Sequence, residues 1–157
     1  MLLCEVFTPE LIKIELEAED KDEVFEELTN HYCQIKKSNA REEILKAIWE
    51  RESKMSTGIK KGIAVPHGKT TTLEHVIGIL GISKKGIDYD ALDGQPVYLI
   101  FMILEPKTEN EKNLRLLKRL AELLNNHQFY SEMLVQKDPQ SANQILKKYE
   151  DIYLATE

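Results

Sequence analysis

The chain has 157 residues, of which 42% are hydrophobic and 31% charged, the balance of a globular domain long enough to bury its own core. Its net charge of −6 excludes general nucleic-acid binding, which needs a basic footprint. No apolar run approaches the ~18 residues of a membrane span, and "MLLCEVFTPE" turns acidic too quickly for a signal peptide.

These limits predict a single domain over residues 1–157, cytoplasmic, with no membrane insertion. Cys4 and Cys33 stand far apart without metal-like spacing, so they read as two reduced, partly buried thiols. In chain order, "LIKIELEAED" alternates Ile12, Ile14 and Leu16 with charged residues, a half-buried strand. Asp20 with Glu23 forms a capping box, and Val24, Phe25, Leu28, Tyr32 and Ile35 then recur at helical spacing. Asn39 with Glu42 repeats the signature ahead of Ile44, Leu45, Ile48 and Trp49, with Trp49 expected in the core.

A glycine-containing loop, "RESKMSTGIKK", leads into "GIAVPHGKT". Three strand-like runs follow: "VIGILGIS", the short "GIDYDAL" and "PVYLIFMILEP". The last is apolar throughout and bounded by prolines, as a central strand covered on both faces should be. Thr108 and Glu111 predict a cap for a helix with Leu114, Leu116, Leu117, Leu120 and Leu124. A further helix runs around Phe129 to Val135, and Asp138-Pro139 is a cap with a first-turn proline opening the last one. Strand, two helices, several strands and three helices predict an α/β (α+β) protein, a mixed β-sheet flanked by helices.

The chemistry concentrates at His67. A residue before proline is extended, so Val65 stays strand-like to Pro66 and His67 falls where the chain is expected to leave the sheet. Gly68 leaves the imidazole unobstructed and joins the expected phosphate-binding residues. Between Arg51 and Lys69 the basic residues Arg51, Lys54, Lys60, Lys61 and Lys69 oppose only Glu52, a local reversal of the chain's sign that suits an anion. Ser56, Thr57 and Gly58 add hydroxyls and backbone N–H groups that phosphate oxygens accept. No G-x-x-x-x-G-K-[ST] loop is present, so the anion need not be a nucleotide.

A histidine in this setting suits acid/base work, metal ligation or nucleophilic attack on a phosphoryl group, with Arg51 holding the phosphoryl oxygens. A loop histidine satisfied by a backbone hydrogen bond is the alternative. His31, His75 and His127 form no metal-ligand spacing, so a metal-dependent hydrolase lacks its second ligand set.

The stretch "RESKMSTGIKKGIAVPHGK", with "YDALDGQPVYLIFMILEP" downstream, resembles the fructose/mannitol/nitrogen-regulatory type of enzyme IIA. These are domains of the bacterial phosphoenolpyruvate:sugar phosphotransferase system. The resemblance covers most of the chain and implies the enzyme IIA mannitol/fructose-type fold, a mixed sheet sandwiched between helices. It implies a phosphocarrier that takes a phosphoryl group from HPr, or its nitrogen-branch relative, on His67 at Nε2. The group then passes to an enzyme IIB cysteine, or the phosphorylation state regulates a target protein. Arg51 corresponds to the family's active-site arginine, and Ser56, Thr57 and Gly58 to its active-site loop; no metal or other cofactor is implied. Many relatives carry a second histidine in an H-L pattern where this chain has Asn113. An asparagine amide offers a hydrogen bond there but no charge, which predicts slower or weaker transfer.

Overall fold

The computed structural model describes residues 1–108 and 110–156; Glu109 and Glu157, the latter the last residue of the expected domain, lie outside the described residues. The elements run α1 (Leu3–Val6), β1 (Ile12–Lys13), α2 (Lys21–Lys36), α3 (Arg41–Glu52), β2 (Gly58–Lys60) and β3 (Ile63–Ala64). They continue with β4 (His67–Thr70), β5 (Ile77–Ile87), β6 (Val97–Pro106), α4 (Glu111–Leu124), α5 (His127–Leu134) and α6 (Pro139–Ala155). The apolar, proline-bounded run is the hub of the sheet. β5 lies antiparallel to one edge of β6, and β3 and β4 lie parallel along the other. β1 extends the sheet beyond β5, and β2 extends it beyond β3.

Strand alternation divides the core between two faces. From β6, Leu99, Phe101 and Ile103 pack with Leu116, Leu120, Phe129 and Leu146 of α4, α5 and α6. Ile100, Met102 and Leu104 pack instead with Val24, Phe25, Leu28, Ile44 and Ile48 of α2 and α3. All six of these β6 residues are at most 3% exposed, which is why the strand reads as an unbroken apolar run. The mixed sheet with helices on both faces matches the expected fold class.

Several local expectations are corrected. The first strand ends at Lys13 because the Glu17 and Ala18 N–H groups donate to the Glu27 carboxylate of α2 instead of to a neighbouring strand. Leu16 N–H still reaches the sheet, at Ile82 O. Asp20 caps α2 as expected, accepting from Glu23 N–H. At α3 the cap position belongs to Ala40, not Asn39, and Ser38 Oγ accepts the Ala40 N–H. "GIDYDAL" forms no strand of its own: Asp90 turns into the left-handed region at φ 59°, leaving a lone bridge between Asp20 and Asp88. α4 is capped by Asn110, whose side chain accepts from Asn113 N–H, and not by Thr108. Trp49 is 37% exposed, its ring set edge-on against Phe25 rather than buried. Ile35, Leu114 and Ile152 of the expected apolar faces are exposed as well.

The correction with most bearing on function concerns His67. The chain does not leave the sheet there: it resumes pairing, with His67 opposite Ile103 in the register that sets Ile63 opposite Leu99. Proline lacks an N–H, so Pro66 costs the ladder one donor, but its carbonyl still accepts from Ile103 N–H at 2.9 Å. β3 and β4 are thus one strand with a single missing rung.

Candidate active site

His67 shares the β6 face of Ile103 and therefore points toward α4, while Gly68, opposite Leu104, points toward α3. On the His67 side lies a cleft of about 480 Å³. Its walls are mainly apolar (Ile59, Val65, Ile103, Leu117, Leu120), and its polar groups are Arg51, Thr57, Lys60, His67, Glu105 and Asn125. Lys60 Nζ hydrogen-bonds Asn125 Oδ1, linking β2 to the end of α4.

The imidazole is half-buried, and its Nδ1 lies 2.9 Å from Val65 O. A carbonyl only accepts, so the contact requires the proton on Nδ1. In the neutral ring the lone pair is then on Nε2.

Arg51 stands in the last turn of α3 and donates from Nη1 to Met55 O at 2.7 Å. One bond of five leaves the guanidinium most of its donors. The next residue, Glu52, carried no expected role beyond its charge. It is buried at 6% exposure and accepts from Thr57 N–H at 2.8 Å and from Thr57 Oγ1 at 2.6 Å. Lys21 Nζ pairs with it at 3.0 Å, and Tyr89 OH lies 2.6 Å from Thr57 Oγ1. Burial first, and then the Glu52 charge, push the Tyr89 phenol far above its ordinary range, so it stays protonated and able to donate. A single carboxylate inside a basic stretch was the signal in the sequence that it had a local task.

Of the residues expected to hold the phosphoryl group, the cleft brings together His67, Arg51 and Thr57. Ser56, Gly58, Gly68 and Asn113 are not among its lining residues. The expectation that the loop offers open N–H groups is corrected for two of its residues. Thr57 N–H is taken by Glu52 and Gly58 N–H by Ser56 Oγ. Gly58 is a glycine because a Cβ there would meet the Ala91 Cβ at 2.7 Å. Gly68 likewise serves packing: a Cβ would lie 2.9 Å from the Ala47 backbone, so its bare Cα admits α3 against β4. Asn113 is buried at 6% exposure in the first turn of α4, inward as its spacing predicts. His31 contacts Glu10 O, and His127 stacks on Tyr130. Among the described residues, no group of three or more His, Cys, Asp or Glu is arranged to hold a metal ion, and no helix is long and apolar enough to cross a membrane.

Residues 5–149 match the family described as "Phosphoenolpyruvate-dependent sugar phosphotransferase system, EIIA 2". The fructose-specific EIIABC component of Bacillus subtilis is 35% identical over 150 residues, 96% of this chain but 24% of that much longer protein. A nitrogen regulatory protein of Bradyrhizobium diazoefficiens is 29% identical over 93% of this chain and 95% of its own length. The crystal structure of the nitrogen regulatory protein IIA-Ntr from Neisseria meningitidis superposes with a TM-score of 0.84 at 25% identity, covering 92% of this chain and 98% of that one. With nearly its whole length matched, the chain belongs to the EIIA type 2 family of the phosphoenolpyruvate-dependent sugar phosphotransferase system.

Proposed function

We propose that this chain is a phosphocarrier that accepts a phosphoryl group on Nε2 of His67. The observation that carries the reading is the Nδ1 contact with Val65 O, which leaves the Nε2 lone pair on a half-buried imidazole lining a cleft with Arg51. In the step, Nε2 attacks the phosphorus of a phosphohistidine on the donor. The new N–P bond forms as the donor's N–P bond breaks, and the donor imidazole departs with that electron pair. The Nδ1 proton stays on the ring, hydrogen-bonded to Val65 O throughout, and that bond disperses the charge the ring acquires. Arg51 compensates the equatorial oxygens, the main demand of phosphoryl transfer. Onward transfer reverses the roles: a thiolate attacks, an S–P bond forms, and the imidazole leaves.

EIIA domains work between a phosphocarrier and an EIIB domain; the donor proposed here is HPr or its nitrogen-branch relative, and the acceptor an enzyme IIB cysteine. Intact-mass measurement after incubation with phosphoenolpyruvate, enzyme I and HPr tests the reading. One acid-labile phosphoryl adduct is expected, absent from a His67→Ala variant. No adduct on folded protein, with HPr shown to be phosphorylated, rejects it.

A second reading is a nitrogen-type regulator whose phosphorylation state changes its affinity for a target protein. Its support is the full-length likeness to a nitrogen regulatory protein, 29% identical over 95% of that protein's length. Asn113, which cannot carry charge where many relatives have histidine, points the same way. Transfer from the phosphorylated chain to an enzyme IIB separates the two: a carrier empties onto it, and a regulator does not.

A further inference from the structure

We propose that Glu52 is a positioning residue for the phosphoryl site, holding the loop that follows it, and with it Arg51, without touching the phosphoryl group. This rests on the reading of His67 and Arg51 given above. Arg51 and Glu52 are consecutive at the end of α3, and each grips the loop that comes next: Arg51 holds Met55 O, and Glu52 holds Thr57. The loop is thus clamped twice from the same helical turn. Arg51 keeps its bond to Met55 O only while Thr57 is fixed, because the two contacts share the short segment between residues 52 and 57.

The bonds also run in one direction. Thr57 has a single hydroxyl proton, and at 2.6 Å it goes to the Glu52 carboxylate. Its oxygen is then left to accept from Tyr89 OH, also at 2.6 Å. The order is Tyr89 to Thr57 to Glu52, with Tyr89 OH also 3.4 Å from Glu52 Oε1 and the charge compensated by Lys21 at 3.0 Å. Lys21 also lies 4.9 Å from the centre of the Tyr89 ring, so the network is closed by residues of α2 and of the segment after β5. A buried polar network of this kind rigidifies when every member is satisfied. It has a second consequence. With both its N–H and O–H donated to Glu52, Thr57 has no proton to offer an incoming phosphoryl oxygen. Thr57 lines the cleft as the fixed end of the loop, and not as an anion ligand.

Glutamine keeps the shape of this side chain but not its logic. Its amide accepts on one atom only and sets two N–H donors among Lys21, Thr57 N–H and Thr57 O–H, all donors themselves. The test compares Glu52→Gln with Glu50→Gln, which removes the same charge from an exposed position of α3. Single-turnover phosphorylation is followed by intact mass across a range of phospho-HPr concentrations, and thermal unfolding and amide exchange over residues 53–57 are recorded on the same proteins. For Glu52→Gln the maximal rate should fall by about tenfold or more, with half-saturation for the donor within about threefold, because the docking surface is intact. Thr57 N–H should exchange about tenfold faster or more, and Glu50→Gln should do neither.

A maximal rate within about twofold of wild type overturns the proposal, as does a loss that merely tracks the unfolded fraction. A slowed rate with unchanged loop exchange also overturns it, because Glu52 would then act directly. If the wild-type chain takes no phosphoryl group, it is the carrier reading that fails. Loop exchange then decides the role of Glu52 alone, and unchanged exchange at Thr57 rejects it.

Discussion

Arg51 holds Met55 O from one nitrogen, and in the proposed carrier it also presents a planar fork to the phosphoryl group, two tasks that lysine cannot combine. Arg51→Lys keeps the charge but should lower the maximal phosphorylation rate by about tenfold or more, read in the same single-turnover assay, with thermal stability little changed. A rate within about twofold would mean that charge alone suffices. Gly68 makes the opposite case, since its place beside His67 suggests a site residue and its contacts are structural. An added Cβ meets the Ala47 backbone at 2.9 Å, which only a shift of α3 against β4 relieves. Gly68→Ala should therefore cost about 1–3 kcal/mol in urea unfolding, the usual penalty of overpacking. A cost near zero would show that helix and strand separate freely there. Sequence reasoning assigned Gly68 to the phosphate because neighbours in sequence look like neighbours in function. On a strand, adjacent residues face opposite layers.

At the scale of elements, what was legible depended on how local its cause was. The caps at Asp20 and Asp138 were read correctly because side chain and recipient N–H lie three residues apart. The cap of α3 was misplaced because the helix starts after Ala40, which has no side chain to cap it, and the nearby polar contact is Ser38 Oγ accepting Ala40 N–H. The continuation of the sheet at His67 was hidden because its partner, Ile103, is remote in the chain, whereas the proline that suggests a strand end is adjacent. The early end of the first strand has the same kind of cause, Glu27, and that cause carries a prediction. Burial raises the Glu27 pKa, but Lys13 at 2.9 Å and the N–H groups of Glu17 and Ala18 outweigh it and leave it lowered. A lowered folded pKa contributes stability that is present above the unfolded value, 4.5, and is lost as pH falls through the folded one. Glu27→Gln should cost about 1–3 kcal/mol near pH 7, as loss of hydrogen bonds to a charged group does. The gap from wild type should narrow as unfolding is repeated below pH 4.5. A gap independent of pH would mean that the carboxylate charge contributes nothing to the staple.

Over the whole molecule, the candidate site was legible where it forms a motif and hidden where it is made by packing. His67 and Arg51 stand in a contiguous signature, but the apolar cleft depends on α4 folding back across β6, and the Glu52 network draws on Lys21 and Tyr89 from either side of it in sequence. The most remote such contact joins the two ends of the chain. Glu150 of α6 is fully buried, and its two carboxylate oxygens accept Leu3 N–H at 2.8 and 2.9 Å. Arg119 of α4 donates both to Glu150 and to Met1 O, and Asn143 donates to Cys4 O and Phe7 O at 2.8 Å each. The α1 segment is short and cannot hold its own helical geometry, so these bonds, with Leu3, Val6 and Phe7 in the core behind them, fix it to α6. Removing the carboxylate strands Arg119, 16% exposed at its side chain, opposite an N-terminal segment with no acceptor for Leu3 N–H. Glu150→Ala should cost about 3–5 kcal/mol in urea unfolding, the range seen when one partner of a buried pair is deleted. Because none of these residues lines the His67 cleft, the folded fraction should take up a phosphoryl group at the wild-type rate. A loss below about 1 kcal/mol would reduce the clasp to a surface ion pair. A slowed rate in fully folded protein would instead reveal that α4, which Arg119 shares with the cleft-lining Leu117 and Leu120, transmits the state of the chain ends to the site.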